Sequence, residues 1–410
     1  MAAGGSQKGR LRILCVTDVY PWPATTGYRI RVAGVLRSLV TIAGVDLFCT
    51  LEDRPDLPSG HLPPSNGLTR TWIHHRASLR WSAAGLRRWI PSGLPRAIAL
   101  RDWRAPAAEL GEFRGGPYDL VWFSHGDVWL SLHSSLDERT LVDLDNLESQ
   151  ILAAHAAGPP PDGHLVERVR AAIRRRADRL DARRWARVER RAADSSHAAI
   201  VCSKLDAARL GHPRVAVIPN GFDEQAPPAP AEGPVISMVG LLTYKPNLDG
   251  ARWFADEVLP RVRAEIPHAS LRLIGRYDDR ARPLGQHEGV ALLGEAEDVG
   301  VALAGTAVVI APLHSGSGTR IKILEAFARR YPVAATSLGC EGIDAVDGTD
   351  LLMADSATDF ADACVRLLTD VDLARAVADA GWRVWDQRYR WDVIRPQIER
   401  LVLDAGAGER

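Results

Sequence analysis

Long apolar runs are missing from this sequence. No stretch of its 410 residues approaches the roughly 18 consecutive apolar residues that a membrane-spanning helix requires. The apolar run near the amino terminus is short and is broken by Arg12 and Asp18, which argues against a signal peptide. We therefore expect a cytoplasmic protein whose residues 1–10 form a flexible polar leader.

Cysteine and lysine are also scarce. The five cysteines are scattered, without the spacing of a zinc site or a disulfide framework, which predicts reduced, buried thiols and no metal site. Lysine occurs only at positions 8, 204, 245 and 322, so nearly all of the 51 basic residues are arginine. This bias indicates a GC-rich genome, and we expect a bacterial protein. The formal net charge of +0 gives no argument for a nucleic-acid partner.

The chain is too long for one ordinary core and suits two domains. The stretch 223–234 is rich in proline and is the clearest linker by composition. We predict an α/β protein with an amino-terminal domain over 11–222 and a carboxyl-terminal domain over 235–385.

The segment 307–343 organises the rest of the sequence. Residues 307–313 form an apolar, β-branched run that predicts a buried strand, and 314–319 form a Gly/Ser loop. Residues 321–329 have helical apolar spacing, and 332–336 predict a second short strand. The pattern is one βαβ unit whose loop lies at the carboxyl end of its first strand, where ligands bind in such sheets.

The chemistry of this loop suits an anion. The first amides of a helix lack internal partners and carry the positive end of its dipole. Gly316 and Gly318 would let the backbone approach an anion closely, and Arg320 adds a forked donor. Glu325 could accept sugar or ribose hydroxyls. The loop has neither a Walker nor a G-x-G-x-x-G pattern, and a simple turn with a solvated arginine stays open.

The first domain offers three further candidates. Gly27 precedes a predicted helix soon after the first strand, and His125 follows the predicted strand 118–124. Asp145 ends the predicted strand 141–145 and could orient an acceptor hydroxyl. A lone histidine is more often structural than catalytic, and Asp145 could also cap the following helix.

Two basic stretches allow contact with a surface. Residues 164–194 are dense in arginine with apolar residues at helical spacing, which predicts one or two amphipathic helices. A solvated face is favoured there over an anionic membrane. Residues 71–103 carry tryptophans among arginines, and ordinary helix packing is favoured over an acceptor or headgroup surface. Peripheral contact at the inner membrane face stays open.

The segment 307–343 resembles the donor-nucleotide site of the retaining glycosyltransferases of family 4. The shared elements are Pro312, the loop 316–319, Leu324-Glu325-Ala326, Pro332-Val333 and Glu341-Gly342-Ile343. A branch of that family carries Gly-Thr-Arg-x-Lys-x-Leu-Glu-Ala, as this chain does. The resemblance covers about residues 11–403 and is strongest from 215 on.

The resemblance implies the GT-B fold, with two Rossmann-like domains facing a cleft and a helix over 386–403 returning to the first domain. It implies retaining, metal-independent glycosyl transfer from a nucleoside diphosphate sugar, with UDP the expected nucleotide and no cofactor. The acceptor would be a glycan, a lipid-linked sugar or a small natural product. The implied catalytic residues are His125 and Asp145. The implied donor-binding residues are Gly27, Gly240, Lys245, Gly316, Ser317, Gly318, Thr319, Arg320, Ile321, Lys322 and Glu325.

The sequence departs from the family pattern at two important positions. Leu241 stands where an arginine usually grips the diphosphate, and we infer that Arg320 replaces the missing cation. Ser317 stands where the first of two glutamates usually contacts the transferred sugar. A GT-B-shaped nucleotide-sugar epimerase and a non-catalytic nucleotide-sugar-binding protein are therefore alternatives. A dehydrogenase is disfavoured because no G-x-G-x-x-G follows the first strand.

Overall fold

A computed structural model describes residues 10–52, 56–77, 83–158, 165–316 and 320–407. The chain divides into two compact units. The first unit comprises Met1–Pro219 with Ile394–Arg410, and the second comprises Asn220–Val393. Each unit has helices packed on a largely parallel sheet, so the predicted pair of Rossmann-like α/β domains is confirmed.

The sheet of the first unit has eight strands among the described residues, in the order β3-β4-β2-β1-β5-β6-β7-β8. All neighbours are parallel except β3 and β4, which are antiparallel. The strands are β1 (Leu11–Thr17), β2 (Ala43–Leu51), β3 (Gly60–Leu62), β4 (Arg70–His75), β5 (Leu120–Ser124), β6 (Thr140–Asp143), β7 (Ala198–Val201) and β8 (Val215–Val217).

Among the residues that the structure describes, eight α-helices connect these strands and a ninth completes the unit. The connecting helices are α1 (Gly27–Ile42), α2 (Ala83–Ser92), α3 (Arg96–Ala99), α4 (Arg104–Phe113), α5 (Gly126–Leu132), α6 (Glu148–Ala157), α7 (Leu165–Ser195) and α8 (Lys204–Leu210). The last helix of the chain covers Trp391–Ala407 and belongs to the first unit from Ile394 on.

The sheet of the second unit has six described strands, all parallel, in the order β11-β10-β9-β12-β13-β14. They are β9 (Val235–Val239), β10 (Ser270–Ile274), β11 (Val290–Gly294), β12 (Val308–Ala311), β13 (Val333–Ala335) and β14 (Leu352–Met353). The helices are α9 (Lys245–Trp253), α10 (Leu259–Glu265), α11 (Val299–Ala302), α12 (Ile321–Ala328), α13 (Ala357–Thr369) and α14 (Val371–Arg388). The last helix of the chain, Trp391–Ala407, is α15.

Central strands of both sheets are buried on both faces, which explains their continuous apolar sequences. In β1, the residues from Ile13 to Thr17 are all buried, and the predicted strand 11–17 is confirmed. In the second unit, β12 is buried throughout between β9 and β13, and the predicted strand–loop–helix–strand order is confirmed. The carboxyl ends of the parallel strands therefore collect at one edge of each sheet.

Some local predictions differ from the structure. The short edge strand β3, in a stretch rich in proline, serine and glycine, pairs with β4 through its backbone. Residues 164–194 contain one long helix, α7, and the tryptophan-rich stretch 71–103 begins within β4. The proposed linker 223–234 has no helix or strand and lies in the second unit. The segment 386–403 covers the end of α14 and most of α15.

Candidate functional site

Lys322 lies against the loop that follows β9. It stands in the first turn of α12, and its Nζ donates to Oδ1 of Asn247 at 2.6 Å, across 75 residues of sequence. Asn247, in α9, uses its Nδ2 to donate to the carbonyl of Leu241 at 2.9 Å. One asparagine therefore joins the only described lysine of α12 to the loop where the sequence lacks the usual arginine.

Glycine is required at the start of this loop. A Cβ added to Gly240 would lie 2.8 Å from Asn247 Nδ2 and 3.4 Å from Lys322 Nζ. A Cβ on Gly275, after β10, would lie 2.1 Å from the carbonyl oxygen of Gly240. A larger residue at Gly240 would displace the side chain of Asn247, and one at Gly275 would push away the backbone of Gly240. The close approach keeps Lys322 beside the carboxyl end of β9.

The amine of Lys322 is poorly compensated. Burial and, to a smaller extent, the nearby guanidinium of Arg320 together lower the pKa of Lys322 from 10.5 to about 7. The site therefore holds a lysine that is only partly protonated at neutral pH. An anion placed against it would restore the charge and gain a charge-assisted hydrogen bond.

Arg320 is buried and bonds to the backbone of two loops. Its Nε donates to the carbonyl of Leu338 at 3.2 Å, and its Nη2 donates to the carbonyl of Gly316 at 3.1 Å. These bonds fasten the loop before α12 to the loop after β13. The role of Arg320 as the replacement phosphate-binding cation stays a prediction, and the observed contacts give it a structural task.

Lys245 is placed differently from Lys322. It opens α9, its side chain is exposed, and it forms an ion pair with Asp249 one turn further along the helix. Exposed pairs of this kind contribute little to stability and exchange readily with solvent. Lys245 can therefore reach a ligand, but nothing in its surroundings fixes its amine.

The loop before α12 is tight at Gly316, whose φ of +101° favours glycine. A Cβ there would lie 3.3 Å from the hydroxyl of Tyr244 and from the ring of Pro246, so this loop touches the loop after β9. Ser317, Gly318 and Thr319, predicted as donor-binding residues, lie outside the described residues. Their placement stays a prediction, as does a role for the half-buried Ile321.

Glu325 lies one turn beyond Lys322 on α12, so the two side chains share one side of the helix. Its Oε1 accepts from Nε and Nη2 of Arg329 at 3.2 and 3.1 Å. Burial raises the pKa of Glu325, and the guanidinium of Arg329 opposes this shift. Arg329 is thus the cation that holds this carboxyl group in place. Binding of ribose hydroxyls by Glu325 stays a prediction.

In the first unit, His125 and Asp145 are in direct contact. His125 Nε2 lies 2.7 Å from Oδ1 of Asp145, and its Nδ1 lies 3.5 Å from Oδ2 of Asp18. The ring of Tyr28 stacks on the imidazole at 4.1 Å, and the Tyr28 hydroxyl donates to Asp18 at 2.7 Å. The histidine is thus clamped between two carboxylates and one aromatic ring.

The backbone of His125 is unusual. Its φ is +80°, a left-handed value that non-glycine residues rarely adopt and that the surrounding contacts must hold in place. Burial alone would lower the pKa of His125, but Asp18 and Asp145 outweigh it and raise the pKa well above the ordinary value. The same pairing lowers the pKa of Asp18. The surroundings of His125 therefore favour its imidazolium form.

A cavity of about 450 Å³ opens beside this histidine within the first unit. Its acidic lining residues include Asp18, Asp127 and Glu148. Burial raises the pKa of Glu148 to about 7, with His125 opposing and neighbouring carboxylates reinforcing the shift. Sequence reasoning missed these three acids. Asp18 follows β1 and Asp127 follows β5, so the convergence of strand ends could have found both.

The side chains of Asp18, His125 and Asp127 are close enough to share a cation, with ligand atoms within 4.8 Å of one another. Positive charge is already supplied there. Besides the imidazolium, Arg76 places its guanidinium 3.8 Å from Asp18 and 3.6 Å from Asp127. This balance favours neutralisation of the carboxylates by cationic side chains, and the absence of a metal stays a prediction.

Gly27 begins α1 directly before Tyr28, so it sets the backbone that carries the stacked ring. Arg31, one turn further along α1, is buried. It donates from Nε and Nη2 to the carboxylate of Asp143 at 2.6–3.0 Å and from Nη1 to the carbonyl of Ile218. This ion pair links α1 to the end of β6. It lies beneath the residues His125, Asp145, Asp18 and Tyr28, which we call the histidine cluster.

Comparison with known proteins identifies the second unit. Residues 233–370 match the family model described as glycosyl transferases group 1. An uncharacterised 44.6 kDa protein in the cps region of Klebsiella pneumoniae is 27% identical over 135 residues, 31% of this chain and 35% of that protein. An exopolysaccharide phosphotransferase of Streptomyces coelicolor is 28% identical over 202 residues, 47% of this chain and 21% of that protein. The matches thus span well under half of these curated relatives.

Solved structures extend the likeness to the whole fold. Sucrose-phosphate synthase from Thermosynechococcus elongatus is similar over 98% of this chain and 100% of its own, with a TM-score of 0.69 and 20% identity. Anabaena HepE in complex with UDP-glucose covers 96% and 100%, with a TM-score of 0.63 and 14% identity. The chain therefore has the GT-B architecture and carries a glycosyl transferases group 1 domain. Among the described residues, no helix is long and apolar enough to cross a membrane.

Proposed function

We propose that this protein is a retaining, metal-independent glycosyltransferase of family 4 that uses a nucleoside diphosphate sugar. The observation that carries the proposal is the Lys322–Asn247–Gly240 arrangement, which lies inside the matched segment 233–370. It puts a partly desolvated amine at the carboxyl edge of a parallel sheet, beside the first turn of a helix. Helix amides and one buried cation are what a diphosphate requires.

Lys322 is the cation that we assign to the diphosphate. It compensates for the arginine missing at Leu241, with Lys245 as an exposed second cation and Arg320 as the bridge that shapes the loop. Glu325 lies on the same side of α12 as Lys322 and takes the ribose. UDP is the proposed nucleotide, because the solved complex of the similar HepE contains UDP-glucose.

The histidine cluster takes the acceptor. Asp145 accepts a hydrogen bond from the acceptor hydroxyl or keeps His125 oriented, and His125, whose two ring nitrogens face Asp145 and Asp18, acts through its positive charge. The bond from the anomeric carbon to the diphosphate breaks, and a bond from that carbon to the acceptor oxygen forms on the same face. The acceptor proton passes to the leaving phosphate oxygen, so no protein nucleophile is needed. The proposed acceptor is a glycan, a lipid-linked sugar or a small natural product.

Donor turnover in water tests the activity without knowledge of the acceptor. The protein is incubated with UDP-sugars labelled at the anomeric carbon, with chelator present, and the released sugar is followed by NMR before its anomers equilibrate. Release of UDP together with the α anomer from an α-linked donor is expected. Conversion of the donor to an epimer without UDP release would instead establish the epimerase.

The alternative of a binding protein is tested in the same samples. Saturable donor binding without release of UDP, in water or with any acceptor of a sugar and glycolipid panel, would establish that reading. Ser317 makes this outcome worth measuring, since the sequence lacks the first glutamate of the family pair. A bacterial origin and a cytoplasmic location stay predictions that accompany the proposal.

A further inference from the structure

An exposed apolar stripe lies on the amino-terminal half of α7. The side chains of Val166, Val169 and Ile173 are exposed by 60%, 50% and 62%. Their spacing of three and four residues places them in one row along the helix. Three large aliphatic side chains in a row on one solvent-facing strip are not the scattered singles that ordinary surfaces show.

The carboxyl-terminal end of α2 packs on α7 farther along the helix, at Arg184. Arg184 stands 18 residues after Val166, five full helical turns, so the two residues lie on one line along α7. The guanidinium of Arg184 donates to the carbonyls of Trp89, Ile90 and Leu94 at 2.7–3.0 Å. The end of α2 therefore covers this face at Arg184 and leaves it uncovered toward Val166.

Ile90 and Leu94 are themselves exposed where they meet α7. We call the five exposed side chains Ile90, Leu94, Val166, Val169 and Ile173 the α2–α7 patch. Among the described residues fourteen large apolar side chains are exposed, and five of them lie on the first half of α7 or at the end of α2. A concentration of this kind marks a surface that leaves water when it meets its partner.

The charges around the patch are positive. From Leu165 to Ala177, α7 carries five arginines and one acid, Glu167, which gives a formal charge of +4. On the helical wheel, Arg176 stands on one side of the stripe and Arg170 and Arg174 on the other. The next acids, Asp178 and Asp181, are buried, and both bond to Arg96, so they do not reduce the field outside.

We propose that the α2–α7 patch docks on a membrane surface of anionic lipid, with the apolar row entering the headgroup layer and the arginines on the phosphates. A helix with an apolar row between cations lies in the plane of such an interface. A second copy of this chain would bring two clusters of arginine together and is disfavoured. Nucleic acid would engage the arginines and leave the apolar row in water. The proposal is independent of the donor site.

Vesicle flotation of the full chain tests it directly. Vesicles of phosphatidylcholine alone are compared with vesicles that also contain phosphatidylglycerol, at low and high salt. Binding is expected only to the anionic vesicles and should weaken as salt rises. The double variant Val166→Asp with Ile173→Asp should lose about tenfold or more in partition, because two carboxylates cannot enter the headgroup layer. These side chains are exposed, so the variant should stay folded.

A matched control changes equally exposed valines elsewhere. Val346→Asp with Val371→Asp, on the second unit, should float like the wild type. No binding to anionic vesicles, or equal binding by the α7 double variant, would overturn the proposal. Self-association that the same double variant abolishes would overturn it in favour of a dimer interface. Preference for single-stranded RNA over the anionic vesicles would overturn it in favour of nucleic acid.

Discussion

The two candidate clusters of this protein handle charge in opposite ways. Around His125, three carboxylates and a guanidinium are already arranged in pairs, and the imidazolium is held by Asp18 and Asp145. Around Lys322, one amine has an amide oxygen as its partner and a guanidinium as its neighbour. The pKa of the histidine is therefore raised, whereas that of the lysine is lowered. The charges of the first cluster balance one another. The second cluster lacks a negative charge to balance its amine.

The two clusters therefore suit different tasks: the first orients a group of the ligand, and the second binds an anion. A preorganised pair such as His125–Asp145 keeps its geometry with or without a ligand, which suits the positioning of an acceptor hydroxyl. A partly neutral lysine gains most when an anion arrives, which suits a diphosphate that must be captured and later released. Each prediction below breaks or sharpens this contrast.

The largest effect is expected from Lys322→Ala. Loss of one charge-assisted contact should weaken binding of UDP-glucose by about 1.5–3 kcal/mol, or about 10- to 150-fold, as measured by titration calorimetry. Lys245→Ala is the matched control, since it removes a lysine that is exposed and paired with Asp249, and it should change affinity severalfold less. Equal losses of affinity in the two variants would mean that Lys322 contributes no more to diphosphate binding than the exposed Lys245.

The affinity for UDP-glucose, measured over a pH series, should report the protonation of Lys322 directly. An amine with a pKa of about 7 is mostly protonated at pH 6.5 and mostly neutral at pH 8.5. Because the diphosphate binds the protonated form, affinity for UDP-glucose should fall by about tenfold or more over that range. In Lys322→Ala the titrating group is gone, and the profile should be flat. A wild-type profile that is also flat would mean that the amine stays charged.

The variant Asp145→Asn tests whether the charge pairs of the histidine cluster are independent of the donor site. With one of its two carboxylates neutralised, the pKa of His125 should fall, which an NMR titration of the imidazole can follow. The free energy of unfolding should drop by about 1–3 kcal/mol at neutral pH. Donor affinity should stay near the wild-type value, because Lys322 is untouched.

The sign of the pH dependence follows from the raised pKa of His125. Its stabilising contribution is full below the unfolded value of about 6.5 and is lost as pH rises through the higher folded value. In Asp145→Asn that loss should begin at the same pH but should be complete at lower pH, because only the folded-state pKa is lowered. Urea unfolding across this window checks the shift, and parallel stability curves for the two proteins would contradict it.

The smallest effect is expected from Glu325→Gln. The amide can still accept from Arg329 and contact hydroxyls, but more weakly than a carboxylate. Affinity for UDP should fall by about 0.5–1.5 kcal/mol, whereas affinity for inorganic diphosphate should hardly change. Calorimetry with both ligands separates the two, and equal losses would make Glu325 a structural partner of Arg329.

Sequence reasoning reached the parts of this molecule that local pattern determines. The strand at 11–17 and the βαβ unit around β12 follow from apolar runs and helical spacing. His125 and Asp145 were found because parallel strands end at one edge of a sheet, which brings residues 20 apart in sequence together. These are consequences of periodicity and topology, and both can be read from one chain.

The features that sequence reasoning did not predict depend on packing between elements that are distant in the sequence. The bond from Lys322 to Asn247 needs two helices from different βα units to meet beside Gly240. The direction of Arg320, toward backbone carbonyls, depends on where the loop after β13 runs. No local pattern encodes either distance, so sequence reasoning placed the replacement cation at Arg320, while the structure puts Lys322, also among the predicted donor-binding residues, in contact with Asn247.

The most direct test of the central claim is thermal unfolding with UDP, GDP and dTDP at matched concentrations, with chelator present. A ligand that binds the folded chain raises its apparent stability by mass action. The account predicts that one nucleoside diphosphate, UDP, raises the melting temperature of the wild type and has much less effect on Lys322→Ala. No shift with any of the three, or an equal shift in the variant, would contradict a diphosphate site at Lys322.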